Sequence, residues 1–585
     1  MLEVLGYQQI SRIILGGIGV YLLARFIYLI TFKKKFTVDL LMSFVAITTY
    51  YYELTLEGLV LMTLYAIAET TESLVERYAE SKLVGLIRII PEKVLVEKGG
   101  TAVLVDARKV KPGSVVLVRR GEAVPLDGIL LNDGVFDTSI VTGESLPVKI
   151  SKGGLVESGY INLGDPIRVK VMKPFGDSLL QVIVSKAREA LEAKSRREKL
   201  VNRLSPHISF LTLAGFFAAL YLGGPYKALP ILFAGCPSAF IVASSYSTSL
   251  TIASLASKGV VVRGGVVLEK ASEASVVALD KTGTITTGVP RVSRIVTVPD
   301  VRNKEELAFY IASAASASRH PISVALSTMS SKKMVPSKAL EKPGMGLEAL
   351  VNGRRVLIGS KEYMKLNKVD ISQLEGACRA HEGVVYAHID GVTAALCLEE
   401  EVSKDVAEAV SELKKRFKVV VMSGDSGARV SAICKKLGVD ECYYELRPDD
   451  KLALVDKLRK KYGQVVMVGD GINDVEALAA ADVGVAVGNI EAVTSVADAT
   501  LTQGLRQLPQ LLESSKSFIG GLKLAFIVAF AVKAYAAVSG VLEALPLLVI
   551  AFIADDGSTL ASVASSTLVL RKHLPKPRFN LKNQR

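Results

Sequence analysis

No two cysteines in this 585-residue chain form a CxxC pair. The five present, Cys236, Cys378, Cys397, Cys434 and Cys442, show neither zinc-ribbon spacing nor a disulfide framework. Four lie in soluble-looking segments and read as ordinary buried thiols. Cys236 differs, because it sits in an apolar helix beside a proline. The N-terminus lacks a basic-then-small cleavage pattern, so no signal peptide is read there. The net charge of +13 comes without any recognisable nucleic-acid motif, and Lys and Arg are spread over the soluble segments. Nucleic acid is therefore excluded as a partner. What the chain has in abundance is apolar residues, 50% of the total, with a positive mean hydropathy. They come in blocks, several reaching the ~20 residues that cross a bilayer. The length suggests about four domains.

Seven membrane helices are expected: Ile10–Ile30, Val38–Tyr51, Leu56–Ala68, Ile208–Leu222, Ala228–Leu250, Ser517–Val538 and Ala544–Leu570. Two soluble inserts, Leu83–Leu204 and Ser257–Lys516, are separated by an even number of helices and so share one side. Lys33, Lys34 and Lys35 fall on that side, which makes it cytoplasmic, with the basic tail from Arg571. The first insert reads as short strands between turn residues, among them Ala102–Val105, Ser114–Val118, Gly128–Leu131 and Arg168–Val171. In the second, Val276–Leu279, Val419–Met422, Val465–Val468 and Val483–Val487 are short apolar runs, each followed by Gly, Asp or Ser. Buried parallel strands with functional loops at their C-terminal ends have this form. A separate α+β segment is inserted between Pro290 and Leu396.

Four loops at one edge of that sheet carry chemistry. Val276–Leu279 runs into Asp280-Lys281-Thr282-Gly283-Thr284, and a carboxylate there can act as a nucleophile. A plain turn aspartate is the alternative for Asp280 taken alone. Val465–Val468 leads to Asp470 and Asp474, carboxylates suited to Mg²⁺. Ser423 offers a hydroxyl and Lys451 an ammonium to phosphate oxygens. Nucleophile, hydroxyl, lysine and metal carboxylates at one sheet edge are the parts of phosphoryl transfer.

The pentapeptide Asp280–Thr284 resembles the signature of P-type ATPases, and the set around it resembles their haloacid-dehalogenase-type phosphorylation domain. Thr142-Gly143-Glu144-Ser145 is similar to the actuator loop of that family. The resemblance implies that Glu144 positions the water that hydrolyses the aspartyl-phosphate, and that Lys281 and Thr282 belong to the catalytic set. It implies Mg²⁺ at Asp280, Thr282, Asp470 and Asp474. Ser318-Arg319-His320-Pro321, Gly344-Met345-Gly346 and Gly359 resemble the nucleotide-binding domain of the heavy-metal branch, with His320, Gly344, Gly346 and Gly359 facing ATP. The chain departs from that pattern at Arg319 and Ala315, where the family carries Glu, and has Glu400 where Asp is usual.

The expected fold is a multidomain membrane protein. An α-helical transmembrane bundle of about seven helices carries a β-rich actuator domain, a haloacid-dehalogenase-like α/β phosphorylation domain and an inserted α+β nucleotide-binding domain. Helices one to three occupy 1–82, the actuator domain 83–204, helices four and five 205–256. The phosphorylation domain takes 257–290 and 398–516, around a nucleotide-binding domain at 291–397. Helices six and seven occupy 517–571 and the basic cytoplasmic tail 572–585. The chain starts almost at a helix, so no N-terminal metal-binding domain is read, and one helix is fewer than the eight usual in this branch.

Pro237 frees helix carbonyls, and Cys236 beside it can bind a soft or borderline metal. The heavy-metal branch carries a Cys-Pro-Cys-type motif here; this chain has Ser238 for the second Cys. Lys533, Asp555 and Asp556 lie inside membrane helices, where ionisable residues pair and mark a path. Asp555-x-Gly557-x-Thr559 with Lys533 resembles the zinc/cadmium/lead branch, in which the Asp binds metal and the Lys is its counter-ion. By this reading Lys533 moves onto Asp555 once metal has left, and Asp556, ~100° further round an α-helix, matters less. Glu57 and Glu69 match acidic positions of that branch, for ion release and uptake; a solvated helix end is the alternative for Glu57. The resemblance thus implies ATP-driven, Mg²⁺-dependent export of Zn²⁺, Cd²⁺ or Pb²⁺ by a multi-pass protein of the cell membrane. Copper(I) export and a membrane-tethered phosphatase of the haloacid dehalogenase type are the alternatives. The phosphatase would need neither Thr142–Ser145 nor polar groups inside the helices.

Overall fold

A computed structural model describes residues 2–32, 38–87, 93–98, 101–138, 148–178, 181, 185, 189–190, 193–286, 289–299, 303–318, 320–342, 344–439, 441–470, 474–488 and 497–573. Two units result, one of residues 1–273 with 510–585, the other of residues 274–509.

In the first unit the insert after the third helix is built on period-two alternation. Ile167–Val171 buries Ile167, Val169 and Val171 and exposes Arg168 and Lys170, as a strand with one wet face must. It lies centrally in a six-stranded sheet ordered Thr101–Asp106, Lys93–Lys98, Val115–Val118, Ile167–Val171, Gly128–Leu130, Leu155–Val156. A three-stranded sheet adds Phe136, and the core also takes Val94, Val116 and Leu130.

Among the described residues five helical stretches are long and apolar enough to cross a membrane: Gln9–Phe32, Arg196–Gly223, Pro225–Ala256, Leu505–Val541 and Leu547–Leu570. The expected second helix forms as Asp39–Tyr51, about 20 Å long at 1.5 Å per residue, short of the ~30 Å hydrocarbon core. The third runs Thr55–Ile87, longer than its apolar stretch. Two of the expected spans are not regular helices, one of them at the proline kink. The fifth breaks into Pro225–Ala234 and Ser238–Ala256, because Pro237 has no N–H to continue the ladder. The seventh contains a π-helical turn at Ile553–Gly557 between Leu547–Phe552 and Ser558–Leu570.

The second unit holds a parallel sheet ordered Ala499–Leu501, Val483–Val487, Val465–Gly469, Val276–Asp280, Lys418–Met422, Glu441–Tyr443. Both faces are covered, so Val276–Asp280 is buried at every position. Asp280 pairs in register with Met422, and Leu279 with Val468. That register brings Asp280, Ser423 and Asp470 to one edge. A second, antiparallel six-stranded sheet is inserted, ordered Arg291–Val298, Val392–Glu399, Gly383–Ile389, Arg354–Gly359, Gly346–Val351, Lys338–Lys342.

The reading of four separate soluble thiols is corrected. Cys378 and Cys397 form a disulfide with Cα atoms 5.4 Å apart, and Cys434 and Cys442 another with 6.7 Å. Sequence separations of 19 and 8 hide both, because the contacts are made by the fold. Cys236 alone is free, and buried.

Candidate phosphorylation, nucleotide and ion sites

Asp280 is only 5% exposed at its strand end. Lys451, at the start of the helix Pro448–Tyr462, donates from Nζ to Asp280 Oδ1 and to Asp474 Oδ1, each at 2.6 Å. Burial first, then the neighbouring Asp474 charge, push the Asp280 carboxyl up to about 6, against the pull of Lys451. Gly283 has φ +73°, and a Cβ there would lie 2.8 Å from Asp470 Oδ2. Glycine thus supplies both the left-handed turn and the room for Asp470. Asp280 and Asp474 therefore share one ammonium, with Asp470 close by at Gly283. This excess of hard oxygen donors fits Mg²⁺. Ser423, 2% exposed, receives the backbone N–H of Asp425 on its hydroxyl oxygen at 3.1 Å and stays near the strand end.

Lys281 belongs to the expected catalytic set. It is fully buried, and its ammonium is clamped by Glu400 and Asp425. Those two acids were not read as a pair, since 25 residues and a strand separate them; the signal was the acidic residue at 400. Thr284, also missed, has a buried hydroxyl with no hydrogen-bond partner among the described residues, which leaves it open to an incoming oxygen. Thr282 adopts an extended conformation between Lys281 and Gly283. Glu144 and Arg319 lie outside the described residues.

His320, Gly344, Gly346 and Gly359 line one cavity of about 310 Å³, together with Lys342 and Val385. His320 opens the helix Pro321–Ser327 and accepts the Ile322 N–H on Nδ1 at 3.3 Å, which leaves Nε2 to carry a proton. Gly346 and Gly359 are cross-strand partners. A Cβ on Gly346 would stand 2.3 Å from the Ile358 carbonyl oxygen, and one on Gly359 2.5 Å from Tyr363 Cδ1 and 2.6 Å from the Met345 carbonyl oxygen. Gly344 has φ +72° and open space around it. Gly359→Ala should therefore destabilise this segment by about 1–3 kcal/mol, the cost of overpacking. Calorimetry with a non-hydrolysable ATP analogue should show binding weakened at least ~10-fold; undiminished affinity would remove the cavity from consideration.

In the first unit Cys236 is 2% exposed, Ser238, Lys533 and Asp556 5%, and Asp555 6%. Ser238 Oγ donates to Asp555 Oδ1 at 2.9 Å, joining the broken helix to the π turn. Phe233, four residues before Pro237, has a carbonyl released from the helical ladder. It accepts from Lys533 Nζ at 3.5 Å and from the Cys236 N–H at 3.3 Å. Lys533 also donates to the Ala554 carbonyl at 2.7 Å. The expected Lys533–Asp555 pairing is thus not present: among the described residues the ammonium serves backbone carbonyls freed by the two irregularities. A Cβ on Gly235 would lie 2.1 Å from Thr212 Oγ1, so glycine lets the helix Arg196–Gly223 approach the break.

Glu57 is half-buried near the start of its helix, and Glu69 lies about 18 Å further along it at 1.5 Å per residue. Glu69 is not free: Arg25 Nη2 donates to its Oε1 at 2.7 Å. Arg25 also approaches Asp39 Oδ1 at 3.5 Å, and the Tyr65 hydroxyl donates to that oxygen at 2.9 Å. Asp39, 1% exposed, was missed because an acid in the first turn of a helix reads as a dipole partner.

Residues 88–188 match the P-type ATPase actuator domain, and residues 274–482 match the haloacid dehalogenase-like hydrolases. The chain is 30% identical to the zinc/cadmium/lead-transporting P-type ATPase of Shigella sonnei (strain Ss046), over 97% of this chain and 79% of the relative. It is 29% identical to a cadmium-transporting ATPase of Staphylococcus aureus, over 88% and 75%. Copper-transporting ATPase 2 of Rhizobium meliloti (strain 1021) is 32% identical, over 82% of this chain and 61% of the relative. A crystal structure of a zinc-transporting PIB-type ATPase in the E2.Pi state superimposes with a TM-score of 0.59 at 29% identity, covering 96% of this chain and 95% of that one. With the carboxylate at the sheet edge and the polar groups buried between apolar helices, these similarities establish that the chain belongs to the heavy-metal-transporting branch of the P-type ATPases, membrane enzymes that couple ATP hydrolysis to movement of a metal cation.

Proposed function

We propose that the chain exports a divalent ion, Zn²⁺, Cd²⁺ or Pb²⁺, across the cell membrane through an aspartyl-phosphate at Asp280. The observation that carries this reading is the buried constellation of Cys236, Ser238, Asp555 and Lys533. One thiol beside a carboxylate suits a borderline divalent ion better than the softest monovalent one. Similarity to copper-transporting relatives keeps copper(I) as the second reading.

In the phosphorylation step an Asp280 oxygen attacks the γ-phosphorus of ATP. The new O–P bond forms as the bond to the β-phosphate oxygen breaks, and ADP leaves. Lys451 screens Asp280 from Asp474 and can follow the charge onto the transferred group. Asp280, Thr282, Asp470 and Asp474 would hold Mg²⁺, which would supply positive charge to the phosphate oxygens. Lys281, clamped by Glu400 and Asp425, holds the turn that presents Asp280. Glu144 orients the water that later splits the O–P bond and returns inorganic phosphate. His320, Gly344, Gly346 and Gly359 hold the base and ribose side of the nucleotide. In the membrane the ion passes from the Glu69 side, past Cys236 and Asp555 at the Pro237–Ser238 break, toward Glu57.

Asp555→Ala should lose metal-stimulated turnover and stoichiometric divalent binding, yet still form phosphoenzyme backward from inorganic phosphate. ATPase rates and binding are compared across Zn²⁺, Cd²⁺, Pb²⁺, Co²⁺, Mn²⁺ and Cu⁺. Stimulation of the wild type by Cu⁺ alone, or full Zn²⁺ stimulation of Asp555→Ala, would defeat the reading.

A further inference from the structure

Asp556 has no place in the scheme above, although it is 95% buried, as deeply as Asp555. Its Oδ2 is shielded from solvent and has no hydrogen-bond partner among the described residues. A carboxylate in hydrocarbon surroundings carries a heavy desolvation cost, and such residues persist where something else takes their charge. The polar groups around Asp555 and the Pro237 break are already engaged. Ser238 gives its hydroxyl to Asp555. Lys533, the one buried Lys or Arg of the membrane helices among the described residues, donates to the carbonyls of Ala554 and Phe233.

The backbone is irregular at this point. Asp555 and Asp556 both lie in the π-helical turn Ile553–Gly557. A π turn is wider than an α turn, so successive residues are separated by less than the ~100° of an α-helix. The two carboxylates accordingly diverge less than regular helical geometry would make them. The helix pays for this turn with weaker hydrogen bonding, and such turns concentrate at functional sites.

We infer that Asp556 is a second carboxylate ligand of the transported divalent ion, beside Asp555 and Cys236. This rests on the divalent-export reading and sharpens it. A divalent ion held by two carboxylates and a thiolate, next to the Lys533 ammonium, leaves the buried site electrically neutral. Without Asp556 the same site would carry one uncompensated positive charge in the membrane. A monovalent ion would leave it negative, so Asp556 selects for double charge.

The test uses the full chain in lipid nanodiscs, with Zn²⁺ binding measured by competition against a chromogenic chelator and Cu⁺ measured in parallel. Asp556→Asn keeps the shape and removes the charge. It should weaken Zn²⁺ binding at least ten-fold, lower the Zn²⁺ to Cu⁺ affinity ratio, and raise the melting temperature of the metal-free protein. Asp556→Glu should keep more Zn²⁺ affinity than Asp556→Asn. Phosphoenzyme formed from inorganic phosphate reports whether a variant folds; if Asp556→Asn fails it, Asp556→Ser replaces it in the same measurements. Zn²⁺ affinity within two-fold of wild type in the folded variant overturns the assignment and leaves Asp556 a neutral packing group. Absence of divalent binding in the wild type overturns the underlying reading as well, and the two failures are thereby distinct.

Discussion

Asp280→Asn should abolish phosphoenzyme formation from ATP. The amide has no nucleophilic oxygen of comparable basicity, and loss of a covalent nucleophile costs on the order of 10⁶ in rate. The substitution preserves volume, and Lys451 keeps its bond to Asp474, so the parallel sheet should survive. The strand Val276–Asp280 is buried throughout and held on both sides by parallel partners, which does not depend on the carboxylate. Labelling with γ-³²P ATP followed by acid quench measures the effect, and far-ultraviolet dichroism checks the fold. Acid-stable, hydroxylamine-sensitive label in the variant would refute Asp280 as nucleophile.

Lys451→Ala should be nearly as damaging, and in two measurable ways. One ammonium is shared by two buried carboxylates, each 2.6 Å away. Its removal leaves Asp280 and Asp474 facing each other without a cation. Asp280, already pushed up to about 6 by burial and by Asp474, then rises further, and less of it is ionised at neutral pH. Loss of this electrostatic contact should slow phosphorylation by about 10²–10³. Breaking a buried ion pair from one side costs about 3–5 kcal/mol, so the melting temperature should fall too, with part of the loss recovered on adding Mg²⁺. Lys451→Arg keeps the charge but presents a planar fork to two separate oxygens, and should fall between the two. Rapid-quench phosphorylation with thermal melts, with and without Mg²⁺, tests this. A wild-type phosphorylation rate in Lys451→Ala would show that the ammonium is dispensable.

The geometry of the candidate phosphorylation site was legible because it is local. A strand followed at once by Asp280-Lys281-Thr282-Gly283-Thr284 specifies a carboxylate at a strand end, a turn and a glycine at positive φ within five residues. Apolar runs of four or five residues ending in Ser423 or Asp470 marked the same sheet edge. Roles that depend on distant partners were not legible. Lys281 was placed in the catalytic set without a partner, and its ammonium is held by Glu400 and Asp425. Two pairs of cysteines were read as four thiols.

In the membrane the same division holds. Residue types alone determined that Cys236, Pro237, Lys533, Asp555 and Asp556 are out of place among apolar neighbours, since hydrocarbon penalises charge whatever the fold. Proline chemistry alone determined that the fifth span is interrupted. Only the tertiary structure decided what each freed or charged group meets. Lys533 reaches the carbonyl that Pro237 releases, from a helix some 300 residues away. Asp555 takes the Ser238 hydroxyl, Glu69 takes Arg25, and one oxygen of Asp556 is left unmatched among the described residues. The physical reason is one of range. Periodicity, turns and burial cost act over a few residues and are written along the chain. Hydrogen bonds and ion pairs act over about 3 Å in space, and which groups come that close is set by the packing of helices that sequence order does not reveal.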